Sequence, residues 1–159
     1  MSPLTALFAH GSDEWSTPAQ LYAELDREFG FTLDAAASAQ NTQSPTYLTQ
    51  WQDARLQDWA TVPSHRPGPV VAYLNPPYSK IRSFMAKAVD EVRVGCTVVC
   101  LVPARTDTRW WHDAVWDTDR QQARDGVEVR FLRGRLKFND GAGSAPFPSV
   151  VVILRPVTR

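Results

Sequence analysis

Hydrophobic and polar positions alternate along the chain in a way that predicts its elements. Thr17 and Pro18 read as a helix start, with Thr17 able to cap and Pro18 suited to the first helical position. Leu21, Leu25 and Phe29 follow at helical spacing, and Gly30 ends the run. Residues 31–34 read as a short strand with a carboxylate, Asp34, at its C-terminal end. Residues 70–74 (VVAYL) are continuously apolar, as expected of a strand covered on both faces. Residues 80–94 place Ile81, Phe84, Met85, Ala88 and Val92 on one helical stripe. A buried strand is predicted over 96–102, a helix over 107–118, and closing strands over 127–132, 135–138 and 148–154. The proline-rich loop 63–69 cannot be crossed by a helix, and the glycine-rich stretch 139–146 reads as a turn.

Strands alternating with helices predict an α/β fold with a mostly parallel sheet and helices on both faces. The last two strands, joined across the glycine-rich turn, are expected to form an antiparallel C-terminal hairpin. The length of 159 residues fits one compact domain and leaves little for a second. A hydrophobic content of 43% excludes a disordered chain. No apolar run reaches the length of a membrane span, and the first residues lack the pattern of a secretory signal. Cys96 and Cys100 are too few for a disulfide framework and lie in a predicted strand, where they read as packed thiols. The expected location is the cytoplasm. His10, His65 and His112 show no metal-ligand spacing, so no metal is expected.

The 17 basic and 17 acidic residues cancel, but they are unevenly placed. Residues 1–79 hold 3 basic and 8 acidic residues, whereas residues 80–159 hold 14 and 9. Such asymmetry suits a two-sided protein with a basic face for a polyanion, although a folded chain can show it by chance. The segment 120–137 carries Arg120, Arg124, Arg130, Arg133, Arg135 and Lys137 against Asp125 and Glu128, the densest positive stretch.

In open α/β sheets, ligands bind beyond the carboxyl ends of the strands. Asp34, the tetrapeptide Asn75, Pro76, Pro77, Tyr78, and residues 103–107 occupy those positions. Two consecutive prolines have fixed φ and no N–H, so they stiffen the backbone between Asn75 and Tyr78. The Asn75 amide oxygen and the Pro76 carbonyl could both accept from one exocyclic amine. Tyr78 could stack on the planar ring bearing that amine. An ordinary proline turn is the competing explanation, and its position after a buried strand weakens it.

This tetrapeptide resembles the catalytic motif of S-adenosylmethionine-dependent amino-methyltransferases. The chain as a whole is similar to the small phage-type DNA N6-adenine methyltransferases, from about residue 13 to residue 154. The resemblance rests on residues 13–18 (DEWSTP), 33–38 (LDAAAS) with Asn41, 75–78 (NPPY), 103–110 (PARTDTRW), and 134–138 (GRLKF) followed by 145–149 (APFPS). It implies a Rossmann-like fold that binds S-adenosylmethionine, releases S-adenosylhomocysteine, and methylates a flipped-out adenine with strict or loose site preference. It also implies catalytic roles for Asn75, Pro76, Pro77 and Tyr78. Cofactor contacts are implied for Trp15, Ser16, Thr17, Pro18, Asp34, Ala35, Ala36, Ser38, Asn41 and Asp53, with Asp58 an alternative to Asp53. The usual glycine-rich loop is replaced by LDAAAS. Asp34 also reads as a helix-capping acid, and Asp53 or Asp58 as a solvated one. Arg105, Arg109, Arg133, Arg135 and Lys137 are the expected DNA contacts. Trp110 and Trp111 are core residues or a wedge that opens the duplex. The same tetrapeptide also serves enzymes acting on RNA or on protein glutamine, and a non-catalytic DNA-binding relic is a third possibility. The basic segment and the DEWSTP segment favour DNA.

Overall fold

The computed structural model describes residues 15–138 and 143–158. Helix α1 (Ala19–Phe29) leads through Gly30, at φ 66, into β1 (Leu33–Asp34). A long connection containing the short 3₁₀ turn Trp59–Thr61 precedes β2 (Val71–Leu74). A second 3₁₀ turn, Tyr78–Lys80, opens into α2 (Ile81–Arg93), followed by β3 (Thr97–Pro103) and α3 (Arg109–Ala114). The small pair β4 (Trp116–Asp117) and β5 (Gln122–Ala123) comes before β6 (Val127–Phe131) and β7 (Ser149–Leu154).

The main sheet has the order β1-β2-β3-β7-β6. β1, β2 and β3 are parallel, and β7 is antiparallel to both β3 and β6. Four strands therefore share one direction and β7 alone is reversed. The fold is the mixed α/β architecture expected, with a mostly parallel central sheet.

The residues of each strand alternate between two cores. Ala72, Leu74, Val98, Cys100, Val102, Val150 and Val152 pack under α2 and α3, with Phe84, Met85, Trp110 and Trp111. Tyr73, Val99, Leu101, Val151 and Ile153 pack on the other face under α1, with Tyr22, Leu25 and Phe31. β7 is buried at every position because both faces are covered and both edges are paired. No helix among the described residues is long and apolar enough to cross a membrane.

The pattern misleads at four places. Thr17 does not cap α1: Pro18 occupies the cap position without a side-chain bond, and the Thr17 hydroxyl is held by Tyr73 instead. The strand over 31–34 shortens to two residues. The helix over 107–118 stops at Ala114, because the Arg124 N–H bonds the Val115 carbonyl and draws the chain into the β4–β5 pair. Residues 135–138 are not a strand. β7 already has β3 and β6 on its two edges, so only the bridge Lys137–Ser144 remains for that segment. The antiparallel hairpin is formed by β6 and β7. Gly126 makes the turn into β6 possible, since at φ 75 a Cβ there would lie 2.4 Å from the Arg155 carbonyl oxygen.

Candidate functional site

A cavity of about 280 Å³ opens beyond the carboxyl ends of β1 and β2. Its wall on the β1 side is Asp34, Ala35, Ala36 and Ala37, with Asn41 behind them. The methyl-sized side chains leave the backbone open to close approach. The Ala35 N–H is bonded to the Tyr73 carbonyl, which fixes this wall to β2. Thr49, Gln50, Asp53, Ala54 and Arg55 form the opposite rim, and Trp15, Ser16, Thr17, Asn75, Pro77 and Lys80 close the β2 end.

Asn75 is held in one orientation. Its amide Nδ2 donates to the Trp15 carbonyl and, at 3.2 Å, to the Thr17 hydroxyl oxygen. Thr17 is in turn fixed by a 2.6 Å hydrogen bond with the hydroxyl of the buried Tyr73. With both amide protons committed, the carboxamide oxygen must face the other way. That oxygen is buried and has no hydrogen-bond partner among the described residues. A buried acceptor left open is unfavourable unless a ligand donor fills it. The arrangement accepts an N–H and offers none.

Tyr78 follows on the stiff diproline segment. Its ring lies nearly parallel to Trp15, with centroids 6.3 Å apart and planes inclined by 18°. Phe147 meets both rings edge-on, and Phe138 meets Trp15 edge-on. The Tyr78 hydroxyl is buried without a partner among the described residues, and that burial holds its pKa well above the ordinary phenol value. The positive charge of Arg105 acts in the opposite direction.

Asp34 is the buried acid of the cavity, 5% exposed. Burial pushes its pKa up to about 7, against the weaker pull of the Ala36 N–H and the Thr42 hydroxyl, both at 3.4 Å. A cationic ligand placed beside it would restore the charged carboxylate. Asp53 stands at the rim at φ 46 and is gripped by Arg55 through both guanidinium and backbone N–H bonds, which hold its pKa below the usual range. Asp58, the alternative, accepts from the Ala60 N–H and caps the 3₁₀ turn away from the cavity lining.

The structure therefore gathers Trp15, Ser16, Thr17, Asp34, Ala35, Ala36, Asn41, Asp53, Asn75 and Pro77 around one cavity. Pro18, Ser38, Pro76 and Tyr78 are outside its lining. The Pro18 carbonyl accepts from Tyr22 at the start of α1. Ser38 holds Asn41 in place by accepting its N–H and donating its own to the Asn41 side chain. Lining residues not expected from the sequence include Tyr73, Leu48, Gln50, Arg55, Lys80 and Phe84. Lys80 stands two residues after the tetrapeptide and is the most legible of them. Phe138 and Phe147 lie in the segments GRLKF and APFPS, where nothing in their spacing marks them.

The basic stretch divides in two. Arg120 pairs with Asp125, and Arg130 pairs with Glu28 and Glu128. Arg124 bonds the His112 carbonyl. These three serve the fold. Arg133, Arg135 and Lys137 are exposed and make no ion pair among the described residues. Arg105 is exposed beyond β3, and Arg109 is exposed with a loose 3.6 Å pair to Asp113. Trp110 and Trp111 are both buried, which removes them as a wedge. His65 bonds Thr46, and His112 lies between Thr106 and Thr118. His10 lies outside the described residues. Among those residues no group of side chains could hold a metal ion. Cys96 and Cys100 are free and buried.

A family model described as DNA N-6-adenine-methyltransferase (Dam) matches residues 5–159. A curated DNA N-6-adenine-methyltransferase of Escherichia phage T1 is 32% identical over 138 residues, which covers 81% of this chain and 55% of that protein. The chain thus spans about half the length of the curated relative it matches.

Proposed function

The chain belongs to the DNA N-6-adenine-methyltransferase (Dam) family, and from that premise we propose that it transfers the methyl group of S-adenosylmethionine to the N6 amine of adenine in DNA. The observation that carries this reading is the open, buried oxygen of Asn75. Adenine N6 is a poor nucleophile because its lone pair is delocalised into the ring. An acceptor at Asn75, with the Pro76 carbonyl as a second, draws on the N6–H bonds and favours a more tetrahedral nitrogen. Its lone pair is then free to form the N–CH₃ bond as the methyl's bond to sulfur breaks, leaving a neutral thioether, and one of the two N6 protons is released to solvent. Because the Trp15 carbonyl and Thr17 already hold the amide, the acceptor needs no rearrangement when the base arrives.

The residues present fit S-adenosylmethionine. Ala35, Ala36 and Ala37 admit a ligand against the backbone, Asp34 offers a buried carboxylate to a cation, and Asn41, Gln50 and Asp53 offer polar rim groups. When bound, the cofactor supplies an electrophilic methyl on a sulfonium. No residue need form a covalent intermediate. The chain's contribution is to position the two reactants and exclude water.

An adenine in a duplex cannot reach the Asn75 oxygen, so it must be flipped out, at a cost of a few kcal/mol. Stacking on Tyr78 recovers part of that. Sequence preference would come from the loops 44–69, 103–112 and 133–147.

The test is the class of acceptor. With methyl-labelled S-adenosylmethionine, label should enter DNA. Label in RNA or in protein, with none in DNA, contradicts the proposal.

The DNA face is proposed at Arg133, Arg135 and Lys137, with Arg105 and Arg109 nearer the cavity. Replacing the first three together with glutamine should weaken DNA binding. It should also lower the slope of log affinity against log salt by about 2–3, since each phosphate contact contributes about 0.9. Affinity for S-adenosylhomocysteine should not change. An unaltered salt slope would show that these three side chains do not meet phosphate.

A further inference from the structure

We propose that Trp51 is a second stacking contact for the DNA, taking an unpaired base outside the pocket that receives the reacting adenine. The proposal rests on the reading of DNA as the substrate.

Trp51 is 98% exposed, more than any other large apolar side chain among the described residues. Leu56, on the same turn, is 81% exposed. A loose surface tryptophan would mean little, but this turn is built. The Thr49 N–H and hydroxyl both donate to the Gln52 side-chain oxygen, at 2.9 and 3.1 Å. The Gln57 amide donates to the Gln52 carbonyl at 2.6 Å. Asp53 takes a left-handed conformation, which Arg55 locks from its side chain and its backbone. The indole is therefore presented to solvent on a stiff support, and little ordering remains to be lost when a partner stacks on it.

Gln50 and Asp53, on either side, line the cavity, and Trp51 does not. Its partner is thus a molecule lying across the mouth rather than a ligand inside. The lining also carries Lys80, at its β2 end, which makes no ion pair among the described residues. An exposed aromatic face on the rim turn and a cation in the lining, acting on Asp53 of that turn, suit a polyanion with exposed planar rings. Flipping one base leaves its former partner unpaired, with a face available to an apolar side chain. Trp51, between the lining residues Gln50 and Asp53, is the exposed side chain placed to meet it.

The experiment compares wild type, Trp51→Ala and Trp51→Phe by anisotropy of a labelled, adenine-containing DNA duplex over a range of salt. Calorimetry with S-adenosylhomocysteine and thermal melting run beside it. Trp51→Ala should bind DNA about tenfold more weakly, and Trp51→Phe should recover most of the loss. The salt slope should stay the same, because stacking releases no counterions. Cofactor-product affinity and melting temperature should not move. Equal DNA affinity of wild type and Trp51→Ala overturns the proposal while leaving DNA as the substrate. So does a loss confined to S-adenosylhomocysteine, which would place the indole over the cofactor. A wild-type chain that binds no duplex at all would remove both this proposal and the reading beneath it.

Discussion

Asn75→Ala is expected to reduce methyl transfer by about two to three orders of magnitude, the effect of removing one preorganised polar group aimed at a reacting centre. The loss should fall on the rate of the chemical step at saturating DNA and cofactor. Asn75 lines the cavity at one end only, so S-adenosylhomocysteine affinity should change little. The substitution also removes the donor to Trp15 and Thr17. Thr17 keeps its bond to Tyr73, so the segment before α1 retains one anchor. A melting temperature close to wild type, together with the rate loss, would separate chemistry from folding. A variant that keeps wild-type single-turnover rates would remove Asn75 from the reaction.

Asp34→Asn should have opposite effects on binding and stability. The folded-state pKa of about 7 lies above the ordinary value of 3.8, so the folded chain holds the proton more tightly than the unfolded one. For an acid with a raised pKa, stability is greatest below the unfolded value. It falls as pH rises from about 4 to about 7, and stays low above that. A rise of this size corresponds to roughly 4 kcal/mol at pH 8, removable by a neutral side chain. Asparagine fits the local bonds. Its amide can donate to the Thr42 oxygen while the Thr42 hydroxyl keeps its bond to the Ser44 carbonyl. Asp34→Asn should therefore melt higher than wild type at pH 8, with the gap closing toward pH 4. It should also bind S-adenosylmethionine at least about tenfold more weakly, because the carboxylate that meets a cation is gone. In wild type, cofactor affinity should drop about tenfold per pH unit below 7, since binding requires the charged form. A flat pH profile, or a variant less stable at pH 8, would contradict this account of Asp34.

Much of the site was legible because its parts sit where a strand ends. A buried run followed by Asn75 and two prolines marks a strand terminus and a stiff turn, and both are local properties. Asp34 reads in the same way, as a carboxylate at a strand end. What the pattern could not show were choices made by distant partners. Thr17 reads as a cap by its neighbours, yet Tyr73 and Asn75, far along the chain, claim its hydroxyl. Residues 135–138 alternate like a strand, but β7 has no free edge to give them. The positive segment reads as one surface until Glu28, remote in sequence, is found paired with Arg130. Phe138 and Phe147 looked like ordinary apolar residues, and only their packing around Trp15 and Tyr78 brings them to the site. Trp51 was invisible for the converse reason, since an apolar residue in a loop gives no sign of being left outside the core.

An open acceptor at Asn75 would serve any exocyclic amine on a planar ring, the N4 of cytosine as well as the N6 of adenine. Adenine is the expected acceptor, and identifying the product separates the two amines. DNA treated with the protein and deuteromethyl S-adenosylmethionine can be digested to nucleosides and resolved by mass spectrometry. Deuterated N6-methyladenine is expected as the methylated nucleoside, absent with Asn75→Ala. Deuterium in methylcytosine, or N6-methyladenine formed equally well without Asn75, would contradict it.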